Sequence, residues 1–143
     1  MDTQQRKWPR RFCSGFVIQI DATFSTNTLK LVYICCIGIT NTGKTFPVAF
    51  SLAPSESTEA FDEFLGFMNR EIWNEGSAPA RVALMDQGGG LLASLPQYLP
   101  TIIWQLCQWH AVENIKAKYV LKITFSSLDF TRQICMVSQE TKG

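Results

Sequence analysis

An α/β domain with a mixed sheet is predicted for this chain by its composition, by the order of its apolar segments and by a change in their period. The chain has 143 residues, of which 46% are hydrophobic and 17% charged, a balance typical of one globular domain with a buried core. Three short β-branched runs come first, and a helical period begins after Pro54. We therefore expect three consecutive strands, followed by alternating helices and strands.

The first three strands are predicted from apolar runs that turn residues separate. The segment GFVIQID, residues 15–21, is apolar until it stops at Asp21, which is typical of a buried strand that ends in an acid. A second run covers residues 31–39 and a third covers residues 45–52, with the turn residues 41–44 between them. Short connections of this kind join antiparallel neighbours, so these strands should form a meander.

An amphipathic helix is predicted after the third strand. Ser57 is a suitable N-cap, and Glu59 lies favourably in the first turn. The helix should end near residues 75–76. Its apolar stripe, which should be buried against the sheet, consists of Phe61, Phe64, Leu65, Met68 and Ile72.

In the second half of the chain, predicted strands and helices continue to alternate. A short strand at residues 81–85 ends at Asp86. The glycines at positions 88–90 are interpreted as the flexible start of a short helix that reaches about Leu95, before Pro96. These glycines lack the Lys-Ser/Thr pair that a phosphate-binding P-loop requires.

A fifth strand and a further helix complete the pattern. The strand covers residues 102–108 and ends in Trp109 and His110, and the helix covers residues 111–119. This order allows the first and fourth strands to be neighbours in a mixed sheet with helices on both faces, which is the RNase H-like arrangement. The expected parts are a basic N-terminal arm (1–14), an RNase H-like core (15–120) and a C-terminal tail without a clear period (121–143).

Charge is concentrated near the N-terminus. The net charge is only +1, so the field of the whole chain does not indicate a nucleic-acid partner. Two interpretations of the basic segment stay open: it contacts phosphates or acts as a nuclear address, or it is a solvated tail. Its four basic residues, with Trp8 and Pro9 between them, are Arg6, Lys7, Arg10 and Arg11.

The cysteines indicate a reduced compartment. There are five, an odd number, and Cys35 and Cys36 are neighbours in a strand, where successive side chains point to opposite faces. This is not a disulfide framework, so Cys13, Cys35, Cys36 and Cys135 are interpreted as small hydrophobic residues. No apolar run approaches the roughly 20 residues that cross a bilayer, and a soluble intracellular protein is expected.

Two acids follow predicted neighbouring strands. Asp21 and Asp86 should meet at one edge of the sheet, with their carboxylates within about 8 Å, close enough to share one or two metal ions. Divalent ions held in this way activate an attacking oxygen and stabilise the leaving oxygen of a phosphodiester. The alternative for each acid is an ordinary turn or cap residue.

Several short motifs occur in an order and at spacings that resemble the Mutator-like (MULE) DNA transposase domain. The resemblance covers about residues 20–119, and its most specific parts are the D-x-T-F and C-x-W-H segments. The motifs are, in order, Asp21-Ala22-Thr23-Phe24, Pro47-Val48-Ala49, Glu56 before the helix that carries Phe64-Leu65, Asp86-Gln87, Cys107-Gln108-Trp109-His110 and Glu113-Asn114-Ile115.

The resemblance implies a DDE-type transposase core. Asp21 and Asp86 match the family's first two catalytic acids, and Cys107 and His110 match its C-x-x-H segment near the active site. Members of the family cut DNA at element ends and join the freed 3′ hydroxyl to a target, so the resemblance implies Mg²⁺ or Mn²⁺, DNA partners and a nuclear location.

The third acid of the family, a glutamate, is where this chain departs from the pattern. In the family it follows a long insertion after the C-x-x-H segment, whereas only 33 residues follow His110 here. Glu113 could take its place, since the helix after the fifth strand supplies the last acid in compact RNase H-like enzymes, and Glu56 is a second candidate as an auxiliary ligand. The expectation is a truncated or degenerate copy with incomplete activity. The alternative is a non-catalytic, domesticated domain that keeps the fold and binds DNA.

Two further pairs have alternative interpretations. Cys107 and His110 could be half of a zinc site, but such a site needs four ligands, so a hydrogen-bonded packing role is favoured and zinc is not expected. Trp104 and Trp109 could stack on bases, although core positions are the more frequent role of such residues.

Overall fold

The computed structural model describes residues 3–73, 79–86 and 88–119, and within them the side chains of residues 6–73, 79–86 and 88–116. Residues 1–107 form one compact unit, and a second unit begins at Gln108. The elements are α1 (Thr3–Phe12), β1 (Val17–Thr23), β2 (Val32–Ile39), β3 (Thr45–Ala53), α2 (Thr58–Glu71), β4 (Val82–Met85), α3 (Gly89–Tyr98), β5 (Ile103–Leu106) and, in the second unit, α4 (Gln108–Tyr119).

One mixed sheet organises the first unit. Its strand order is β3-β2-β1-β4-β5. The first three strands pair antiparallel, whereas β4 pairs parallel with both β1 and β5. The predicted meander and the neighbouring first and fourth strands are therefore confirmed, and with them the α/β, RNase H-like fold class.

The two faces of the sheet differ in burial. Ile18 and Ile20 of β1 are at most 1% exposed, and their partners Cys36, Ala83 and Met85 lie on the same buried face. The apolar stripe of α2 and the buried leucines of α3 belong to the same core. On the opposite face, aromatic side chains of β2 and β3 remain partly exposed, as in the stacked pair of Tyr33 and Phe50.

Helix α2 matches its prediction except at its end. The Ser57 side chain accepts a hydrogen bond from the Ala60 backbone N–H at 3.3 Å, which confirms the N-cap. The five stripe residues are all at most 3% exposed, so their burial is confirmed. The helix ends earlier than predicted, at Glu71 with Ile72 as C-cap, because burial of Ile72 and the following Trp73 in the core takes the chain out of the helix. Residues 74–78 lie outside the described part.

The segment that sequence patterns left as a basic arm or solvated tail is helix α1. Arg6 forms an ion pair with Glu71 at 2.7 Å, and Arg10 donates a hydrogen bond to the backbone oxygen of Ile72 at 2.8 Å. Both contacts attach α1 to the C-terminal end of α2, where cations are favourable. The solvated-tail interpretation is therefore wrong for this segment, and its polar composition and internal Pro9 are the reason that a helix was not predicted.

Three boundaries in the second half also differ from prediction. Helix α3 continues past Pro96 to Tyr98, because burial of Leu95 and Leu99 holds the last turn against the core. Strand β5 is four residues long, so Trp109 and His110 lie in α4 rather than at the end of a strand. Trp104 and Trp109 are 47% and 65% exposed, so the core interpretation of these two residues is wrong. None of the described helices is both long and apolar enough to span a membrane.

We predict that Phe64→Ala lowers the free energy of unfolding by roughly 3–5 kcal/mol, because it opens a cavity in a close-packed core. Phe50→Ala is the matched control, since Phe50 is 68% exposed and its loss should cost less than about 1.5 kcal/mol, the value of one aromatic pair. Urea unfolding of both variants provides the measurement. Equal stability of Phe64→Ala and the parent would refute the packing of α2 on the sheet.

The buried thiols should be inert in the folded chain. Burial raises the pKa of Cys13 to about 11 and raises that of Cys36 well above its ordinary value, so almost no thiolate is present at pH 8, and the thiolate is the reactive form. We expect iodoacetamide at pH 8 to leave both residues unmodified until urea is added. Peptide mass mapping of the alkylated cysteines tests this, and rapid labelling of Cys13 without denaturant would contradict its burial.

Candidate active site

The register between β1 and β4 places the two predicted acids side by side. The last parallel pair is Ile20 with Met85. The next residues in the chain are Asp21, still within β1, and Asp86, directly after β4. Neighbouring strands lie about 4.8 Å apart. Asp86 directly follows β4, as predicted. The two acids are therefore adjacent at the carboxyl ends of parallel strands.

Asp21 differs from its prediction in one respect, since it does not end its strand. Strand β1 continues to Thr23 because Ala22 and Thr23 still pair with β2. Asp21 itself pairs with Cys35 across the antiparallel ladder. Burial raises the pKa of the Cys35 thiol, and the negative charge of Asp21 raises it further. The first acid is thus held in the sheet by its pairing with β2, directly after the last residue that pairs with β4.

A small cavity lies between the sheet end and the start of α2. Its volume is about 30 Å³, more than the roughly 10–15 Å³ that a cavity needs to admit one water molecule. Three acidic residues from three different parts of the chain line it together. The lining residues are Ile20, Asp21, Ala22, Glu56, Phe61, Asp86, Gly88 and Leu91.

Glu56 is the third acid at this cavity. It lies in the connection between β3 and α2, two residues before the helix begins. Partial burial raises the pKa of its carboxyl group, and the charges of Asp86 and then Asp21 raise it further. The Glu56 carboxyl group is therefore close enough to both aspartates to be affected by their charges. The sequence had suggested Glu56 only as an auxiliary ligand, from its place before a helix.

Gly90 and Ser94 were not identified as site-related residues from the sequence. A Cβ at Gly90 would lie 2.7 Å from the backbone oxygen of Glu56 and 3.0 Å from the carbonyl carbon of Ser57. The glycine run is a helix start, as predicted, since Gly88 is the N-cap and Gly89 the first residue of α3. At Gly90, close backbone contact additionally excludes a side chain. One turn later, the buried Ser94 hydroxyl lies 3.1 Å from the backbone oxygen of Thr58. The run of glycines was the only sequence signal for this contact.

Comparison with known proteins adds the family. The sequence matches the family described as MULE transposase domain over residues 17–114, a span that contains all the acids named above. The chain belongs to the MULE transposase domain family. No curated protein matches the chain.

Three solved structures give the structural comparison. The catalytic domain of Mos1 mariner transposase is 10% identical, with a TM-score of 0.41, and the match covers 100% of this chain and 84% of that one. The Mos1 strand transfer complex is 10% identical, with a TM-score of 0.41 and coverage of 94% and 53%. A chain of the simian T-cell lymphotropic virus intasome, solved in complex with PP2A regulatory subunit B56 gamma, is 13% identical, with a TM-score of 0.39 and coverage of 82% and 46%. This chain thus spans about half the length of the matched chains in the Mos1 strand transfer complex and the intasome. Its family assignment rests on the sequence match.

The last residues of the MULE pattern belong to different units and are described unit by unit. Cys107 is the last residue of the first unit, and its backbone N–H donates a hydrogen bond to the backbone oxygen of Met85 at 2.8 Å. His110 and Glu113 belong to α4 in the second unit. There the His110 ring packs edge-on against Trp109 at 4.9 Å, and Glu113 forms an ion pair with Lys116 at 2.7 Å. Gln87, Cys135 and residues 121–143 lie outside the described part.

The donor set at the cavity fits a hard divalent cation. Carboxylate oxygens are the ligands that Mg²⁺ and Mn²⁺ prefer, and these ions keep water on the positions that the protein does not fill. Within the described residues, no three or more acid, histidine or cysteine side chains are arranged so that they could hold a metal ion together. The MULE domain therefore presents a carboxylate-lined cavity, rather than a closed metal cage.

Proposed function

We propose that this MULE domain is the catalytic core of a DDE-type DNA transposase, in which Asp21 and Asp86 hold the divalent metal ions. The observation that carries the proposal is the register of β1 and β4, which puts both acids at adjacent positions beside one cavity. Their match to the first two acids of the MULE pattern supports it. Metal-dependent cleavage and strand transfer of DNA is the reaction that this arrangement serves.

The two aspartates have a clear chemical role in such a reaction. Bound Mg²⁺ or Mn²⁺ would activate an attacking oxygen and stabilise the leaving oxygen of a phosphodiester. Asp21 would hold its ligand oxygens in place because its backbone is paired in the sheet. Asp86 would do so from the end of a strand whose residues Ala83 and Met85 are buried. Rigid ligands matter because a small misplacement in an active site can cost on the order of a hundredfold in rate.

DNA is the proposed partner and the nucleus the proposed location. Two of the four basic residues of α1, Arg6 and Arg10, contact the end of α2. The other two, Lys7 and Arg11, are exposed and are therefore positioned to meet phosphate groups. Contacts of this type add affinity without sequence preference.

Incomplete activity is the second part of the proposal. Glu113, the acid that could replace the family's distal glutamate, has its carboxylate 2.7 Å from the Lys116 ammonium group, and its side chain is 43% exposed. A carboxylate paired with an ammonium group is a poorer metal ligand, because the two cations compete for it. This ion pair supports a core with incomplete activity, and the alternative function is a non-catalytic domain that keeps the fold and binds DNA.

We predict that the chain binds Mn²⁺ weakly and that the double variant Asp21→Asn with Asp86→Asn loses this binding. Each carboxylate that is removed leaves a metal position to water. Calorimetric titration with MnCl₂ measures the affinity, and a parallel assay on duplex DNA measures cleavage, which we expect to be slight or absent. Asp62→Asn is the control, because Asp62 lies on α2 and does not line the cavity.

Two outcomes would contradict this proposal in different ways. Mn²⁺ binding that survives the double substitution would show that Asp21 and Asp86 are not the metal ligands. Robust cleavage by the parent that the double substitution abolishes would show that the acid set is complete, and Glu113→Gln would then test whether Glu113 completes it.

We further predict that Lys7→Ala with Arg11→Ala weakens non-specific DNA binding and reduces its dependence on salt. Loss of two phosphate contacts should reduce the slope of log K against log salt concentration by about 1.8. Fluorescence anisotropy with a labelled duplex at several salt concentrations measures the slope. Arg70→Ala with Arg81→Ala, which removes two exposed cations elsewhere, is the control, and an equal change in both double variants would contradict a specific role for α1.

A further inference from the structure

The connection that carries Glu56 is in direct backbone contact with the start of α3. A Cβ atom added at Gly90 would lie 2.7 Å from the backbone oxygen of Glu56 and 3.1 Å from the backbone nitrogen of Thr58. Real Cβ atoms do not approach backbone so closely, and backbone atoms cannot rotate away as the end of a long side chain can. The absence of a side chain at Gly90 is therefore what lets the two segments touch.

Ser94 holds the same two segments together one turn later. Its hydroxyl lies 3.1 Å from the backbone oxygen of Thr58 and 3.1 Å from that of Gly90. Ser94 is 1% exposed, and among the described residues it is the only polar one in the buried class. A buried hydroxyl needs a partner, so this bond ties the first turn of α2 to the body of α3.

These contacts bear directly on the acids. Gly90 is four residues after Asp86, and the backbone that it touches begins at Glu56. The close approach thus fixes the backbone of Glu56 relative to the start of α3, the helix that follows Asp86 in the chain. Glu56 and Asp86 both line the small cavity. Glu56 precedes α2 and Asp86 follows β4, so the whole of α2 separates the two acids in the chain.

We propose that Gly90 and Ser94 form a clamp that positions Glu56 as a third carboxylate ligand of the metal held by Asp21 and Asp86. The inference rests on the proposed function of the two aspartates. It adds a ligand from the first unit and assigns a role to two residues that do not touch the metal. Three carboxylates repel one another unless a cation lies between them, and the rotatable side chain of Glu56 lets its oxygens turn toward such an ion.

The first test compares Mn²⁺ binding by the full chain and its Glu56→Gln variant. We expect the dissociation constant to rise by at least about tenfold, since the loss even of an outer partner of a metal ligand costs roughly 10–100-fold in affinity. Water proton relaxation supplies a second readout, because a lost carboxylate leaves one more position to water and increases the enhancement per bound ion. Glu63→Gln, an exposed acid of α2, should change neither quantity.

A double-mutant cycle tests the clamp itself. Gly90→Ala and Ser94→Ala should each weaken Mn²⁺ binding in the parent, with Gly90→Ala the stronger of the two, although all three acids are intact. In the Glu56→Gln background neither substitution should weaken binding further, since both act through Glu56. A purely structural role would instead weaken binding equally in both backgrounds, and that result would overturn the clamp.

The outcomes separate this inference from the proposed function. Loss of Mn²⁺ binding in Asp21→Asn together with unchanged affinity and relaxation in Glu56→Gln would overturn the clamp and leave the aspartate pair intact. Binding that is unaffected by Asp21→Asn would overturn the proposed function. Should Gly90→Ala fail to fold, as judged by circular dichroism, Ser94→Ala removes the hydroxyl without adding bulk and carries the cycle alone.

Discussion

The parallel pairing of β1 with β4 determines where the acids of this domain can lie. Ile18 and Ile20 pair with Ala83 and Met85, and all four are buried on one face. A slip of one residue would turn these side chains to the other face and bring Asp21 into the core. The hydrophobic burial of the sheet therefore fixes the register, and the register in turn places Asp21 beside Asp86. The position of the site is in this sense a consequence of the core.

Electrostatic repulsion acts against the same arrangement. Three carboxyl groups line one small cavity, and the pKa of Glu56 is raised by its partial burial and then by the charges of Asp86 and Asp21. Such a cluster persists only where the backbone that carries it is held by other interactions. Here those interactions are the ladder on both sides of β1, the buried end of β4 and the contact of Gly90 with the start of α2. These backbone interactions thus hold the three carboxyl groups near one another, and a bound cation would reduce the repulsion between them.

The sequence predicts the parts of this fold that depend on local pattern. Apolar runs identify the strands, and the spacing from Phe61 to Met68 together with the Ser57 cap identifies α2, because periodicity and capping are local properties. It does not predict α1, whose stability comes from contacts such as Arg6 with Glu71, 65 residues away in the chain. The contact of Gly90 with Glu56 is equally non-local. A glycine that is needed for tertiary approach looks the same in a sequence as one that begins a helix.

The choice between Glu113 and Glu56 as the third acid depends on which of them is held in place by tertiary contacts. Glu113 fits the spacing of compact RNase H-like enzymes, but its side chain is 43% exposed and paired with Lys116, so its position depends on two flexible side chains and a surface ion pair worth little. Glu56 is carried by backbone that the buried Ser94 hydroxyl and the close approach of Gly90 hold in place. Since metal-assisted phosphodiester chemistry depends on fixed ligand geometry, the proposed third ligand is Glu56, whose backbone is held in this way, rather than Glu113. A MULE domain that uses Glu56 in this way would retain metal binding even where the distal glutamate of the family is missing, and its cleavage activity would then depend on whether the carboxylates of one compact unit suffice.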